Sequence, residues 1–353
     1  MTILFFARRF YPLIGGVEKH VLELSKQLIK NGHQIIVVTE QTENLSPFEM
    51  IKPLNLKIYR IETGKENRFK KLRIWKELWK LRRVIEKADV VHCHDVFFWY
   101  LPFRFLYPNK KIFTTFHGYE SYPVTQKARW VRKLSEKLSV GNICIGDFIK
   151  KWYGTKPSYV SYGAVEVFNF QFSIFNKSKK DSGVFIGRLD DQTGILTYVK
   201  AVELVRKKYP KFLMNAVGDG VYKNKIAKIV KVVGFQKNPE QYLVNSHFAF
   251  VSRYLAILEA FAAKRLVFAV YDNPVKEDYL KMAPYAKFII IVDTPEKLSE
   301  KIIYYLEHPG EEKKLIEKAF NWVQGQSWGK MAGLYLKLWK KEYNKKSLQD
   351  KHK

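Results

Sequence analysis

Apolar residues in this chain fall in short runs separated by longer amphipathic stretches, and the two alternate almost throughout. Runs rich in Val, Ile and Phe predict strands at 2–7, 34–39, 57–61, 89–93, 111–116 and 142–146. Helical periodicity predicts helices over 17–31, 67–87, 127–138 and 147–153, the first closed by the stop pair Asn31-Gly32. Such alternation argues for a parallel sheet covered on both faces.

A polar, irregular stretch ending in Asn176-Lys177-Ser178-Lys179-Lys180-Asp181 interrupts the pattern. The predicted organisation is a first domain over 1–168, a linker over 169–181 and a second domain over 182–326. The alternation restarts with strands at 183–188, 211–217, 231–234, 247–251, 265–270 and 287–292. Helices follow at 195–208, 221–229, 254–264, 295–307 and 311–325. A last helix, within 327–345, carries Trp328, Leu334, Leu336, Leu338 and Trp339 and is expected to pack back toward the first domain. The polar end, 346–353, is expected to fray.

Length and composition fit this division. A chain of 353 residues favours two domains, and 47% hydrophobic residues suffice for two cores. No apolar run approaches the ~20 residues of a membrane span, and the first residues enter a strand without a signal-peptide layout. Cys93 and Cys144 lie in apolar runs and read as buried thiols of a reducing cytoplasm. The formal charge of +28 favours an anionic partner: nucleic acid, acidic lipid or a phosphorylated substrate. Nucleic acid is disfavoured, because no zinc spacing, RNA-recognition signature or helix-turn-helix accompanies the charge.

The candidate chemistry gathers at strand-to-helix joints, where doubly wound domains hold ligands. Gly15-Gly16 precede the first helix and suit either close approach of a ligand anion or a tight turn with positive φ. His92, His94 and Asp95 follow one strand, and His117-Gly118 another. The first group could hold a metal, but no second cluster supports it, and His117 reads as a hydrogen-bonding histidine. Gly187-Arg188-Leu189 offers an arginine suited to phosphate, or a surface charge. Gly218-Asp219-Gly220 is another ligand-side turn. Glu259, read near the start of its helix, could accept from a sugar diol or favour the helix dipole. The basic-aromatic helix predicted over 67–87 includes Lys70, Lys71, Arg73 and Lys76, a composition suited to an anionic membrane surface or to a cover for the sheet.

In order and spacing, these landmarks resemble glycosyltransferase family 4, retaining enzymes of the GT-B fold. The resemblance covers roughly residues 1–325. It rests on Tyr11-Pro12-x-x-Gly15-Gly16-x-Glu18, Gly32-His33, Asp89-Val90-Val91-His92, Thr115-Phe116-His117-Gly118 and Tyr162-Gly163-Ala164-Val165. In the second half it rests on Gly187-Arg188-Leu189, Gly218-Asp219-Gly220 and Leu258-Glu259-Ala260. It implies two Rossmann-like doubly wound domains facing a central cleft. Gly15 and Gly16 would approach the donor diphosphate, Arg188 would hold phosphate, and Glu259 would bind the nucleotide ribose. Gly218 and Gly220 would shape the nucleotide side, and His117 would be the catalytic-site residue near the reacting carbon.

Two departures from the family stand out. Thr193 occupies the place of a lysine, and a loop deletion of about four residues between Tyr254 and Leu255 removes a glutamate that ordinarily precedes Glu259. Arg253 and Lys264 are the candidate replacements for the missing cation. No D-x-D occurs, which fits a diphosphate neutralised by Arg188, other cations and helix N-termini.

The resemblance implies a metal-independent retaining hexosyltransferase, with no cofactor beyond its donor, a nucleotide diphosphate sugar. The acceptor would be a glycan or glycolipid of polysaccharide biosynthesis. The expected location is cytoplasmic, peripheral on the inner face of a membrane. The alternatives are a non-catalytic sugar-nucleotide-binding relative and a GT-B sugar-nucleotide epimerase.

Overall fold

A computed structural model describes residues 1–13, 15–167 and 179–349. The chain divides into two compact units, Met1–Ser161 with Trp328–Lys353, and Tyr162–Ser327. The first boundary therefore falls before the predicted linker, most of which lies outside the described residues.

In the first unit the order is β1 (Thr2–Ala7), α1 (Gly16–Lys30), β2 (Gln34–Glu40), β3 (Phe48–Ile51), β4 (Leu56–Ile61), α2 (Lys70–Lys80) and α3 (Arg82–Lys87). It continues with β5 (Val90–His94), α4 (Phe97–Leu106), β6 (Lys111–Phe116), α5 (Gln126–Leu138), β7 (Gly141–Ile145), α6 (Phe148–Tyr153) and β8 (Tyr159–Ser161). The sheet runs β3-β4-β2-β1-β5-β6-β7-β8, and all pairs are parallel except β3 with β4. Strand order reverses between β1 and β5, so the loops after these two strands open where such sheets bind ligands.

The second unit contains β9 (Lys179–Ile186), α7 (Ile195–Arg206), β10 (Leu213–Val217), α8 (Lys223–Ile226), β11 (Lys231–Gly234), α9 (Glu240–Val244), β12 (Ser246–Phe250), α10 (Tyr254–Ala262), β13 (Leu266–Val270), α11 (Pro274–Lys281), β14 (Ile290–Val292), α12 (Pro295–Glu307) and α13 (Pro309–Val323). Its parallel sheet runs β11-β10-β9-β12-β13-β14 and reverses between β9 and β12. The last helix, α14 (Trp328–Gln349), belongs to the first unit.

The cores follow from the strand composition. Leu4, Phe6, Val91 and Ile112 are buried against Ile74 and Leu78 of α2 and Trp99, Tyr100 and Phe103 of α4. Each such side chain contributes roughly 1.5–3 kcal/mol. In the second unit Phe185, Phe248, Phe250 and Phe268 are buried with Tyr198 and Val202 of α7 and Leu298 and Ile302 of α12. Cys93 and Cys144 are buried and free. Local chemistry starts the helices where the chain carries it. Asn273 and Thr294 accept hydrogen bonds from the Lys276 and Lys297 amides, each followed by proline at the first helical position.

The structure departs from the sequence expectations in several places. The helix predicted over 67–87 breaks at Leu81 into α2 and α3, and that predicted over 221–229 shrinks to Lys223–Ile226. Strands β3 and β8 and helices α4, α9 and α11 are additional. Helix α4, Phe-Phe-Trp-Tyr-Leu-Pro-Phe-Arg-Phe-Leu, is apolar on most sides and contains Pro102, which reads as a helix breaker in the sequence.

Candidate active site

In the first unit, Gly15 is the N-cap of α1, with φ −137° and ψ −175°, and no side chain caps the helix. Neither Gly15 nor Gly16 has positive φ, so the tight-turn reading does not account for them. A Cβ on Gly15 would stand 2.4 Å from Oε2 of Glu18, whose carboxylate folds back over the helix start. A Cβ on Gly16 would meet nothing within 4 Å. The fold thus leaves open space at Gly16, beside N–H groups that attract an anion.

His117 follows β6. Its amide donates to Oδ1 of Asp95 at 3.0 Å, and its Nε2 lies 2.9 Å from Nδ1 of His94. Asp95 adopts the left-handed φ of 61°, which aspartate tolerates. Dense protein around its carboxyl pushes the pKa up to about 6, with the Arg132 charge and the His117 amide acting in the opposite direction. Burial lowers the pKa values of His92, His94 and His117 well below the ordinary range and that of His20 to about 3, so all four rings are neutral at pH 7.

Neutrality gives the buried network a direction. The indole of Trp339 can only donate, so Nδ1 of His92 accepts from it at 3.1 Å and Nε2 carries the proton. His92 Nε2 then donates to Thr115 Oγ1 at 2.7 Å, and Thr115 donates to Tyr335 Oη at 2.8 Å. Tyr335 in turn donates to Nε2 of His20 at 2.9 Å. Both nitrogens of His92 are therefore occupied within the protein, and the metal reading of His92, His94 and Asp95 loses its first ligand. Among the described residues no group of three His, Cys, Asp or Glu side chains is placed to hold a metal ion.

Arg132 on α5, 5% exposed, holds the His117 loop from behind. It donates to the carbonyl of Gly118 and to Glu120 at 3.0 Å, and lies 3.8 Å above the Tyr153 ring. Neither Arg132 nor Tyr335 carries a signal separating it from neighbouring helix residues in the sequence.

In the second unit the loops after β9 and β10 are laced together. Gly187 N donates to Val217 O at 3.1 Å, and Leu189 N donates to Asp219 O at 2.9 Å. A Cβ on Gly218 (φ 148°) would stand 1.8 Å from the Gly187 carbonyl oxygen, and one on Gly220 (φ 155°) 2.6 Å from that of Leu189. Both glycines are thus required by the loop packing itself.

Arg188 projects from this joint, its side chain 62% exposed. Its Nη2 donates to Oε1 of Gln192 at 2.9 Å, and its Nε lies 3.3 Å from Asp190. Arg253, just after β12, donates from Nη2 to the same Oε1 at 3.2 Å. Thr193 Oγ1 bonds the carbonyls of Arg188 (2.7 Å) and Asp190 (2.8 Å), closing the turn where the family carries a lysine.

Several candidates need correction. Glu259 lies in the second turn of α10, buried at 6% exposure, so the first-turn dipole reading fails. Lys264 follows the C-terminus of α10, with φ 54° and its Nζ 4.4 Å from the Phe320 ring. It precedes β13, at the amino end of the sheet, and is not a replacement cation for a site at the carboxyl ends. Lys70 pairs with Glu40 (3.0 Å) and Glu66 (2.6 Å). Arg73 bonds the carbonyls of Thr63 (3.0 Å) and Lys65 (2.5 Å) and Oδ1 of Asn67 (3.0 Å). These two hold the 63–67 loop, while Lys71 and Lys76 face solvent.

Comparison with known proteins decides the family. The model of the family described as Glycosyltransferase Family 4 matches residues 14–156, and that of Glycosyl transferases group 1 matches residues 167–322. The chain belongs to the family 4 type of GT-B glycosyltransferases. Over 91 residues it is 32% identical to one of the subunits of human phosphatidylinositol N-acetylglucosaminyltransferase, covering 25% of this chain. The match spans about a fifth of the length of the curated relatives, 19% and 20%. The fold is similar to that of sucrose-phosphate synthase from Thermosynechococcus elongatus, with TM-score 0.77 and 14% identity over 97% of this chain and 99% of the other. It is also similar to that of Anabaena HepE in complex with UDP, with TM-score 0.71 and 12% identity over 96% and 99%. This glycosyltransferase has no helix among its described residues long and apolar enough to cross a membrane.

Proposed function

We propose that this glycosyltransferase moves a hexose from a nucleotide diphosphate sugar to a glycan or lipid-linked acceptor, with retention of configuration and without a metal ion. The observation that carries the reading is the pair of arginines, Arg188 and Arg253, joined through Gln192 at the carboxyl ends of β9 and β12. A phosphate group is the natural occupant of such a fork. HepE, of the same fold, is described in complex with UDP, which makes UDP-sugars the first donors to test.

In this reading the second unit binds the nucleotide. Glu259 accepts from the ribose hydroxyls, and Arg188 and Arg253 stabilise charge on the diphosphate as the anomeric C–O bond breaks. The acceptor hydroxyl forms the new C–O bond on the same face, and its proton passes to the departing phosphate oxygen. His117, neutral and held by Asp95 and His94, lines the sugar and donates or accepts hydrogen bonds without taking charge. No cofactor takes part.

The acceptor is proposed to lie at an anionic membrane face of the cytoplasm. Lys71 and Lys76 of α2 are exposed beside Leu72 (56% exposed) and Trp79 (51%). Basic and aromatic residues together suit an acidic lipid surface.

Thr193, a loop-closing residue where the family has a lysine, favours a second reading: a non-catalytic sugar-nucleotide-binding relative. Incubation with a panel of UDP-, GDP- and ADP-sugars, with nucleoside diphosphate release as readout, separates the two. Release supports the transferase, and binding without release for every donor supports the second reading.

A further inference from the structure

Lys276 is the third residue of α11 and only 1% exposed. Lysine is rarely buried without an anionic partner. Here the Nζ donates to the main-chain carbonyl of Gln192 at 2.5 Å, and among the described residues no carboxylate lies within 4.0 Å of it. Arg253 reaches the same carbonyl at 3.5 Å and the Gln192 side chain at 3.2 Å, and Arg188 reaches that side chain at 2.9 Å. Three cations, two from loops and one from the first turn of α11, thus converge on one glutamine. Asp190 pairs with Arg188 at 3.3 Å, and the remaining positive charge of the group favours binding of a further anion.

We propose that Lys276, with Arg253, completes a diphosphate-binding site at the carboxyl ends of β9, β12 and β13, supplying the charge that the family lysine would supply at position 193. The proposal rests on the nucleotide-sugar reading above. Gln192 then acts as a neutral spacer whose oxygens occupy the cations until phosphate oxygens replace them. Burial, and next the charge of Arg253, lower the Lys276 pKa to about 7, while Asp272 and Asp190 act in the opposite direction. An anion brought to this lysine returns its proton.

The test is calorimetric titration of UDP, GDP, ADP and inorganic pyrophosphate into the full chain and its Lys276→Met and Arg253→Gln variants. The expected result is at least tenfold weaker binding of the preferred diphosphate and of pyrophosphate in each folded variant. Wild-type affinity in both folded variants overturns the proposal. If wild-type protein binds pyrophosphate through Lys276 but no nucleoside diphosphate, the cation site stands and the donor reading falls. If it binds neither, both fall. Should Lys276→Met fail to fold, Lys276→Gln and Arg253→Gln are titrated with pyrophosphate instead: at least tenfold weaker binding supports the site, and wild-type affinity overturns it.

Discussion

The indole nitrogen of Trp339 donates to Nδ1 of His92 at 3.1 Å, and because each hydroxyl beyond it has one hydrogen and one remaining partner, this bond orders the chain from His92 through Thr115 and Tyr335 to His20. It ties α14 to β5, β6 and α1. The predicted tautomers are Nε2–H for His92 and Nδ1–H for His20, checked by nitrogen NMR of the imidazoles. Trp339→Phe leaves a buried acceptor unpaired and should cost roughly 1–3 kcal/mol in denaturant unfolding. An unchanged midpoint would remove the network's stabilising role.

The same histidines predict acid sensitivity. His20, His92, His94 and His117 all have folded pKa values below the unfolded value of 6.5. Below pH 6.5 the unfolded chain binds protons that the native protein does not, so stability falls as pH falls. Each ring contributes a slope of up to about 1.4 kcal/mol per pH unit, and the contribution vanishes above pH 6.5. Thermal unfolding between pH 7.5 and 5 should show the loss, and replacing His92 by Gln should reduce the slope. A flat profile would contradict the buried, neutral assignment.

Gly16 and Gly218 separate function from fold. Gly218→Ala forces a contact at 1.8 Å with backbone and should yield protein that unfolds early or does not fold. Gly16→Ala meets no protein atom and should keep the wild-type melting temperature while weakening donor binding. Equal melting temperatures for both variants, or full donor affinity in Gly16→Ala, would refute the distinction.

Much of this is legible in the sequence for a physical reason. Parallel strands buried on both faces read as apolar runs, and the stop pair Asn31-Gly32 marks the end of α1, whereas α11, capped by Asn273, goes unread. The joints carrying Gly15, His117, Arg188 and Gly218 stand out because ligand loops sit at predictable strand ends. What stays hidden depends on pairing across the chain. Tyr335 meets Thr115 from 220 positions away, and Lys276 meets Gln192 from 84. Nothing local to Lys276 separates it from the other lysines. Lys264 and Lys70 look available in sequence and are occupied in the fold.

The exposed face of α2 gives a membrane prediction. Lys71→Gln with Lys76→Gln should reduce binding to anionic vesicles at low salt, with wild-type binding itself weakening as salt rises. Neither residue forms part of the donor site, so turnover on a soluble acceptor should persist. Cosedimentation with acidic and neutral vesicles measures both. Wild-type protein that ignores acidic vesicles would assign α2 only to covering the sheet.

The central claim is tested most directly by following the anomeric proton of a UDP-hexose by NMR in the presence of chelator, with and without a glycan or glycolipid acceptor. The account predicts acceptor-dependent release of UDP, a product of the donor's own anomeric configuration, and loss of both in Arg188→Ala. An inverted product, turnover only on addition of a divalent metal, or no turnover with any nucleotide sugar would contradict it.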